Sequence, residues 1–310
     1  MILTVTMNPA IDKIYFVTNY TLGEVHRPNQ VIASPGGKGL NVARVSHILG
    51  QTVGATGLLG GGNGAFIDKA VQELGMKSEF VGIEGETRIC INVSDEVHGH
   101  STEVLEPGPT ISAEESETFL AAFDKMIQGY DIIALSGSLP KGLSAAYYKK
   151  LIEICHTYNK RVLLDSSGEA FATGLDAIPY LVKPNKDEIK QFYSEEVHTI
   201  SDAVKAIHFF KEKGIELPII SMGKDGCLAG IEDKVFHFTL PPVTVTNTVG
   251  SGDSFIAGCA VGLDRGYTLE DTVKLGCACG TANTQFAQTG FVTKELVETY
   301  FNQVQVTQLA

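Results

Sequence analysis

Thr248-Val249-Gly250-Ser251-Gly252-Asp253-Ser254, followed at once by Phe255-Ile256-Ala257-Gly258-Cys259-Ala260-Val261-Gly262-Leu263, is a glycine-rich turn that runs into small and apolar residues. The second part reads as a buried helix, which puts the turn at a helix N-terminus. Backbone N–H groups converge there, and the helix dipole adds partial positive charge. Such a nest suits an anion, for example a phosphoryl group in transit. Asp253, at its mouth, would accept a proton from an attacking hydroxyl. A simpler reading makes Asp253 only a helix cap, so the rest of the chain has to decide.

A second glycine cluster, Pro35-Gly36-Gly37-Lys38-Gly39-Leu40-Asn41-Val42-Ala43, opens a helical pattern with Val42, Val45 and Leu49 on one face. Its glycines allow a ligand close to the backbone, and Lys38 brings charge. It is not a Walker A loop, because the chain contains no Gly-x-x-x-x-Gly-Lys-Ser/Thr. A nicotinamide dehydrogenase would need Gly-x-Gly-x-x-Gly after the first strand, where Asn8-Pro9-Ala10-Ile11-Asp12 stands instead.

The chain has 310 residues, 44% of them apolar, and a net charge of -12. That supports a large buried core and argues against a nucleic-acid partner, which needs a basic face. No apolar run approaches the roughly 20 residues that span a bilayer. The amino terminus carries no basic leader. The six cysteines are scattered without zinc spacing and read as reduced thiols. No membrane and a cytoplasmic location are therefore expected.

Residues 2–6 form a β-branched strand closed by Asn8-Pro9, with Asp12 at its carboxyl end, where ligands of open α/β sheets collect. Lys13 to Val31 reads as strand and loop. Gly57 to Gly64 is another glycine-rich patch, leading into a helix from Ala65 to Leu74. From Thr87 the pattern has period two, with Arg88, Cys90 and Asn92 on one face and Ile89, Ile91 and Val93 on the other. Ser101 to Leu105 returns as the second arm of a hairpin. Residues 12–33 and 87–106 together read as a small β lid whose apolar face needs cover, as from a second subunit. Beyond Ser112 helices and strands alternate: Ala113–Gln128, Asp131–Ser136, Ala145–Tyr158, Val162–Asp165, Leu181–Asn185, Asp187–Phe192, Ser201–Lys213 and Pro218–Met222. Three helical patterns end the chain, at 254–264, 268–287 and 293–302. The expectation is one domain over 1–310, a doubly wound, mostly parallel α/β sheet with helices on both faces.

With these pieces in order, the whole chain resembles the ribokinase-like, or phosphofructokinase B, sugar kinases. The signatures are Gly36-Gly37-Lys38-Gly39-Leu40-Asn41-Val42-Ala43 and Val249-Gly250-Ser251-Gly252-Asp253-Ser254. The resemblance implies transfer of the ATP γ-phosphoryl to a sugar hydroxyl with Mg²⁺, and a lid that in many relatives forms a dimer interface. It leaves open whether a monovalent cation orders the nucleotide loop. It implies that Asp253 is the base and that the backbone of Gly250, Ser251 and Gly252 is the anion hole. Asp12, Gly37, Lys38, Asn41, Cys90 and Ser138 are assigned to the sugar. Lys183, Asn185, Ser221, Gly223, Gly226, Gly252 and Asn283 are assigned to the nucleotide, and Asn185 and Glu188 of an Asn-x-x-Glu motif to Mg²⁺.

Arg27, Lys38 and Arg88 would surround an already phosphorylated sugar. Gly85-Glu86-Thr87-Arg88-Ile89-Cys90-Ile91 and Thr102 to Pro109 look like the hexose-phosphate branch, which contains tagatose-6-phosphate kinases and 1-phosphofructokinases. Ser136-Gly137-Ser138-Leu139-Pro140-Lys141-Gly142 looks closer to the former. The expected reaction converts D-tagatose 6-phosphate to the 1,6-bisphosphate; fructose 1-phosphate is the alternative acceptor. A non-catalytic sugar-phosphate sensor on the same fold would show a broken base or anion hole, and neither is broken here.

Overall fold

A computed structural model describes residues 1–191, 193 and 196–309. Across its main sheet the strands run Gln305–Gln308, Lys234–Thr239, Cys227–Ile231, Leu217–Ser221, Leu181–Val182, Arg161–Asp165, Ile132–Ser136, Ile2–Thr6, Val53–Gly60 and Lys77–Ser78. Val81–Ile83 also pairs with Val53–Gly60. From Leu217–Ser221 to the Lys77 edge every pairing is parallel, and the three strands at the other edge are antiparallel. Ile2–Thr6 sits between Ile132–Ser136 and Val53–Gly60 with Ile2, Leu3 and Val5 fully buried. Thr4 and Thr6 are buried as well, so both faces of this strand are covered, as in the parallel centre of an α/β sheet.

Successive side chains of these strands enter different cores. Leu3, Val5 and Leu164 join Phe119, Phe123, Tyr148, Leu151 and Phe210 beneath the helices Ala113–Met126, Tyr147–Thr157 and Ile200–Glu212. Ile2, Ala134 and Leu163 face the helices Lys38–Ile48, Ser251–Asp264, Leu269–Asn283 and Lys294–Phe301. Ala113–Met126 begins where the sequence provides a capping box: Ser112 Oγ accepts the Glu115 N–H and the Glu115 carboxylate accepts the Ser112 N–H. The helices Ser251–Asp264 and Leu269–Asn283 touch backbone to backbone. A Cβ on Gly258 would lie 2.5 Å from Leu275 O, and one on Gly276 2.8 Å from Cys259 Sγ. This contact holds the amino end of the Ser251–Asp264 helix at the carboxyl ends of the central strands.

The second sheet has the order Gln30–Gly36, Ala10–Val17, Arg88–Asp95, Ser101–Leu105. Its two middle strands are parallel and the outer pairings antiparallel. It is longer than the expected 12–33 and 87–106, since the ladder closes only at Ala10 opposite Gly36.

Four features depart from the sequence reading, the unexpected helix Gly168–Leu175 among them. Val53–Gly60 is a fully buried strand, although three of its residues are glycine. The antiparallel strands Cys227–Ile231, Lys234–Thr239 and Gln305–Gln308 were not expected. Of the helix expected over 187–192, a 3-10 turn covers Ile189–Gln191, and Phe192 lies outside the described residues.

Candidate active site

The chain leaves Ile2–Thr6 toward Val53–Gly60 on one side, and Ile132–Ser136 flanks it on the other, so the sheet order reverses here. Such a crevice at strand carboxyl ends is where doubly wound proteins bind ligands. A cavity of about 2070 Å³ opens from it, roofed on one side by the second sheet. Pockets for one small ligand hold roughly 300–1,000 Å³, so there is room for two.

Gly250 caps the Ser251–Asp264 helix with φ 80°, a left-handed conformation that glycine adopts without strain. The Ser251 N–H bonds Thr248 O at 3.2 Å, whereas the N–H groups of Gly250, Gly252 and Asp253 have no partner among the described residues. The amides left open at this helix start are therefore those of Gly250, Gly252 and Asp253, and Ser251 holds the turn closed. Asp253 is 6% exposed, and its Oδ2 accepts Asn41 Nδ2 at 2.8 Å. Burial, reinforced by the charge of Asp165, pushes its carboxyl up to about 6, against the pull of Lys38, Asn41 and Lys183.

Asp165 ends a buried strand and lies between two cations: Lys38 Nζ at 3.3 Å and Lys183 Nζ at 3.9 Å. Burial alone would raise its carboxyl, but the two ammonium groups outweigh it and hold it below the usual range. Asp165 in turn raises Lys38, so that this ammonium stays charged despite its partial burial. A Cβ on Gly252 would lie 3.3 Å from Lys183 Nζ, which places that charge beside the nest.

The sugar residues expected on the second sheet face the same cavity. In the ladder Asp12 is opposite Cys90 and Ala10 is opposite Arg88. Asp12 lies against Gly36, where a Cβ would come within 2.1 Å of Asp12 Cγ. Burial pushes the Asp12 carboxyl to about 6, against Arg44 and Arg88, and burial likewise raises the Cys90 thiol. Arg88 Nε and Nη2 donate to Asn8 O (3.2 and 2.9 Å), and Nη1 donates to Glu106 O at 3.0 Å. That fixes the guanidinium and leaves two of its five hydrogens uncommitted. Gly37, Lys38, Asn41 and Ser138 line the cavity beneath. Lys183, Asn185, Glu188, Ser221, Gly223 and Gly226 line the arm beyond Asp165. Asn185 Oδ1 accepts the N–H groups of Asp187 and Glu188 (2.9 and 2.8 Å), and Glu188 Oε2 accepts the Asn185 N–H at 2.9 Å.

Two expected residues lie elsewhere. Arg27 is exposed in the loop between the first two strands of the second sheet and does not line this cavity. Asn283 is fully buried; its amide donates to Val249 O at 2.9 Å and accepts from Ser254 Oγ at 3.1 Å. It braces the glycine turn from behind and is not among the residues that line the cavity.

Asp165 and Arg44 line the cavity although neither was expected there. The position of Asp165 at the polar end of Val162-Leu163-Leu164 was the available signal; Arg44 gave none. Thr6, Asn8 and Ser136, at the ends of the two central strands, also line the cavity and bury side-chain oxygens that have no partner among the described residues.

An amide nest, a buried carboxylate and paired lysines in one crevice under a β sheet are the equipment of a kinase that phosphorylates an alcohol. The pfkB family carbohydrate kinase model matches residues 5–295, and the chain belongs to that family. It is 37% identical over 312 residues to the tagatose-6-phosphate kinase of Staphylococcus epidermidis, covering 100% of both chains. Among solved structures it is similar to Escherichia coli phosphofructokinase-2 in complex with fructose-6-phosphate (TM-score 0.89, 25% identity, 97% of this chain and 98% of that one). The tetrameric inhibited form of the same enzyme is similar too (TM-score 0.90, 26% identity, again 97% and 98%).

Proposed function

We propose that this chain phosphorylates D-tagatose 6-phosphate to the 1,6-bisphosphate with ATP as donor. The observation that carries the reading is Asp253: a buried carboxylate with a raised pKa at the mouth of three free amides. The acceptor hydroxyl donates to Asp253 and loses its proton late in the transfer, a contribution of about 10²–10⁴-fold. The amides of Gly250, Gly252 and Asp253, with Lys38 and Lys183, balance charge on the phosphoryl oxygens. Arg88, across the cavity with two free hydrogens, meets the phosphate the sugar already carries. Asp12 and the unpartnered oxygens of Thr6, Asn8 and Ser136 meet its hydroxyls. The full-length likeness to a tagatose-6-phosphate kinase supports this sugar over fructose 1-phosphate.

Among the described residues no three His, Cys, Asp or Glu side chains are grouped to hold a metal. Mg²⁺ needs no such cage, since it takes one or two carboxylates and completes its shell with phosphates and water. Glu188 Oε1 has no hydrogen-bond partner among the described residues, so Glu188 fits that role. Both lone pairs of Asn185 Oδ1 are engaged within the turn, so Asn185 shapes the site and does not ligate. The metal would neutralise charge on the nucleotide phosphates.

The second sheet acts as a lid over one catalytic unit and as the contact to a second copy. Val31 and Val104 are 48% and 58% exposed on it, and such a surface asks for cover. Six free cysteines suit a reducing, cytoplasmic compartment, and among the described residues no helix is long and apolar enough to cross a membrane. Coupled ADP release with tagatose 6-phosphate, fructose 6-phosphate and fructose 1-phosphate tests the assignment. Fastest turnover of tagatose 6-phosphate is expected, and a clear preference for either fructose phosphate overturns it.

A further inference from the structure

Arg44 is a cation in an expensive place. It is 7% exposed and, among the described residues, makes no ion pair. Its guanidinium instead serves three neutral oxygens: Nη1 donates to Asn41 Oδ1 at 3.1 Å and to Thr289 O at 3.0 Å, and Nη2 donates to Pro35 O at 2.5 Å. Burying a charge without an ion pair is unfavourable; the carboxylates of Asp12 and Asp253 offset part of that at longer range, yet an apolar side chain of similar volume would fill the space more cheaply.

The chemistry of Asn41 gives the charge a use. A guanidinium only donates, so it requires the oxygen end of the Asn41 amide. That turns Nδ2 toward Asp253, where it donates to Oδ2 at 2.8 Å. The flipped amide would set N–H against N–H on one side and oxygen against carboxylate on the other. Thr289 and Pro35 fix the guanidinium itself, one in the loop packed against Gly250, the other at the foot of the second sheet.

We propose that Arg44 is a positioning residue: it locks the Asn41 amide so that one oxygen of Asp253 is held and the other faces the sugar hydroxyl. The inference rests on the kinase reading above but adds a residue to it. The groups facing Asp253 are Lys38, Asn41 and Arg44 from the Lys38–Ile48 helix, Asp165 from its strand, and Lys183. Removing Arg44 withdraws a positive charge and frees the Asn41 amide, and both effects favour the protonated carboxyl.

The test compares Arg44→Ala and Arg44→Lys with the unaltered protein. Arg44→Ala is expected to lose about 10–100-fold in kcat, the scale of a misplaced reacting group, with KM for ATP changed less than about twofold. The acid limb of kcat/KM should move to higher pH, and added guanidinium ion should restore turnover. A carbon-13 titration of the Asp253 carboxyl should show the same upward shift; needing no turnover, it stands even if the sugar assignment fails. Arg44→Lys guards against failure to fold: it keeps the charge, but one ammonium cannot reproduce the planar fork, so kcat should fall about tenfold. Unchanged kcat in Arg44→Lys, or lost turnover in Arg44→Ala with no shift of the Asp253 titration and no rescue, overturns the proposal.

Discussion

Asp165 and Asp253 share one crevice, both buried, and their carboxyl groups are pushed in opposite directions. Asp165 is held ionised by Lys38 at 3.3 Å and Lys183 at 3.9 Å, and its charge helps to raise Asp253 to about 6. One acid anchors the lysines, and the other is tuned to take up a proton.

The pH dependence follows from that pair. A base works only when ionised, so kcat/KM should fall as pH drops through about 6. Asp165→Asn removes the neighbouring charge and should move this limb to lower pH. For stability the sign is opposite to that of a salt-bridged acid. The folded pKa of Asp253 lies above its unfolded value, so its ionisation weakens the fold as pH rises through the interval between them, and the loss is complete above about 6. A limb near pH 4, or one that Asp165→Asn leaves in place, contradicts this electrostatic account.

Gly250 and Gly252 should respond differently to alanine. Gly250 has φ 80°, and its Cβ would meet Thr289 Cγ2 at 2.6 Å and Gly290 N at 2.8 Å. The conformation alone costs roughly 1–2 kcal/mol, so Gly250→Ala should lower Tm and lose most turnover. Gly252 is helical, and its Cβ would meet only the Lys183 ammonium, at 3.3 Å. Gly252→Ala should keep Tm and lose rate by shifting that charge. Differential scanning calorimetry with steady-state kinetics separates the two; equal effects on Tm would be contrary to the geometry.

Arg88 is pinned by Asn8 and Glu106 carbonyls with two hydrogens left for a ligand. Arg88→Ala should raise KM for the sugar phosphate at least about tenfold, the loss of one charge-assisted pair. KM for ATP should change little. An equal rise in both would mean that Arg88 serves the fold and not the sugar phosphate.

Much of this was legible in the sequence because glycine and charge leave local marks. Gly37 and Gly250, both with positive φ at helix starts, flag the two glycine turns that line the cavity. The period-two pattern from Arg88 marked a strand, Arg88–Asp95, whose Arg88, Cys90 and Asn92 line the cavity. Val53–Gly60 was missed because glycines erase that periodicity, and Gln305–Gln308 because a short polar edge strand resembles a loop. Asp165 and Arg44 owe their roles to partners far along the chain, Lys38 and Thr289 among them, and no local pattern records such pairings. Arg27 is the converse case: its charge was visible in the sequence, whereas its place in an exposed loop off the cavity lining was not.

The central claim is that Asp253 takes the proton of the sugar hydroxyl. Asp253→Asn keeps the shape and the Asn283 brace but removes the base. Calorimetric affinities for ATP and sugar phosphate should stay within a few-fold, while kcat falls by about 100-fold or more. Turnover above about a tenth of the unaltered rate, with binding intact, would contradict the account.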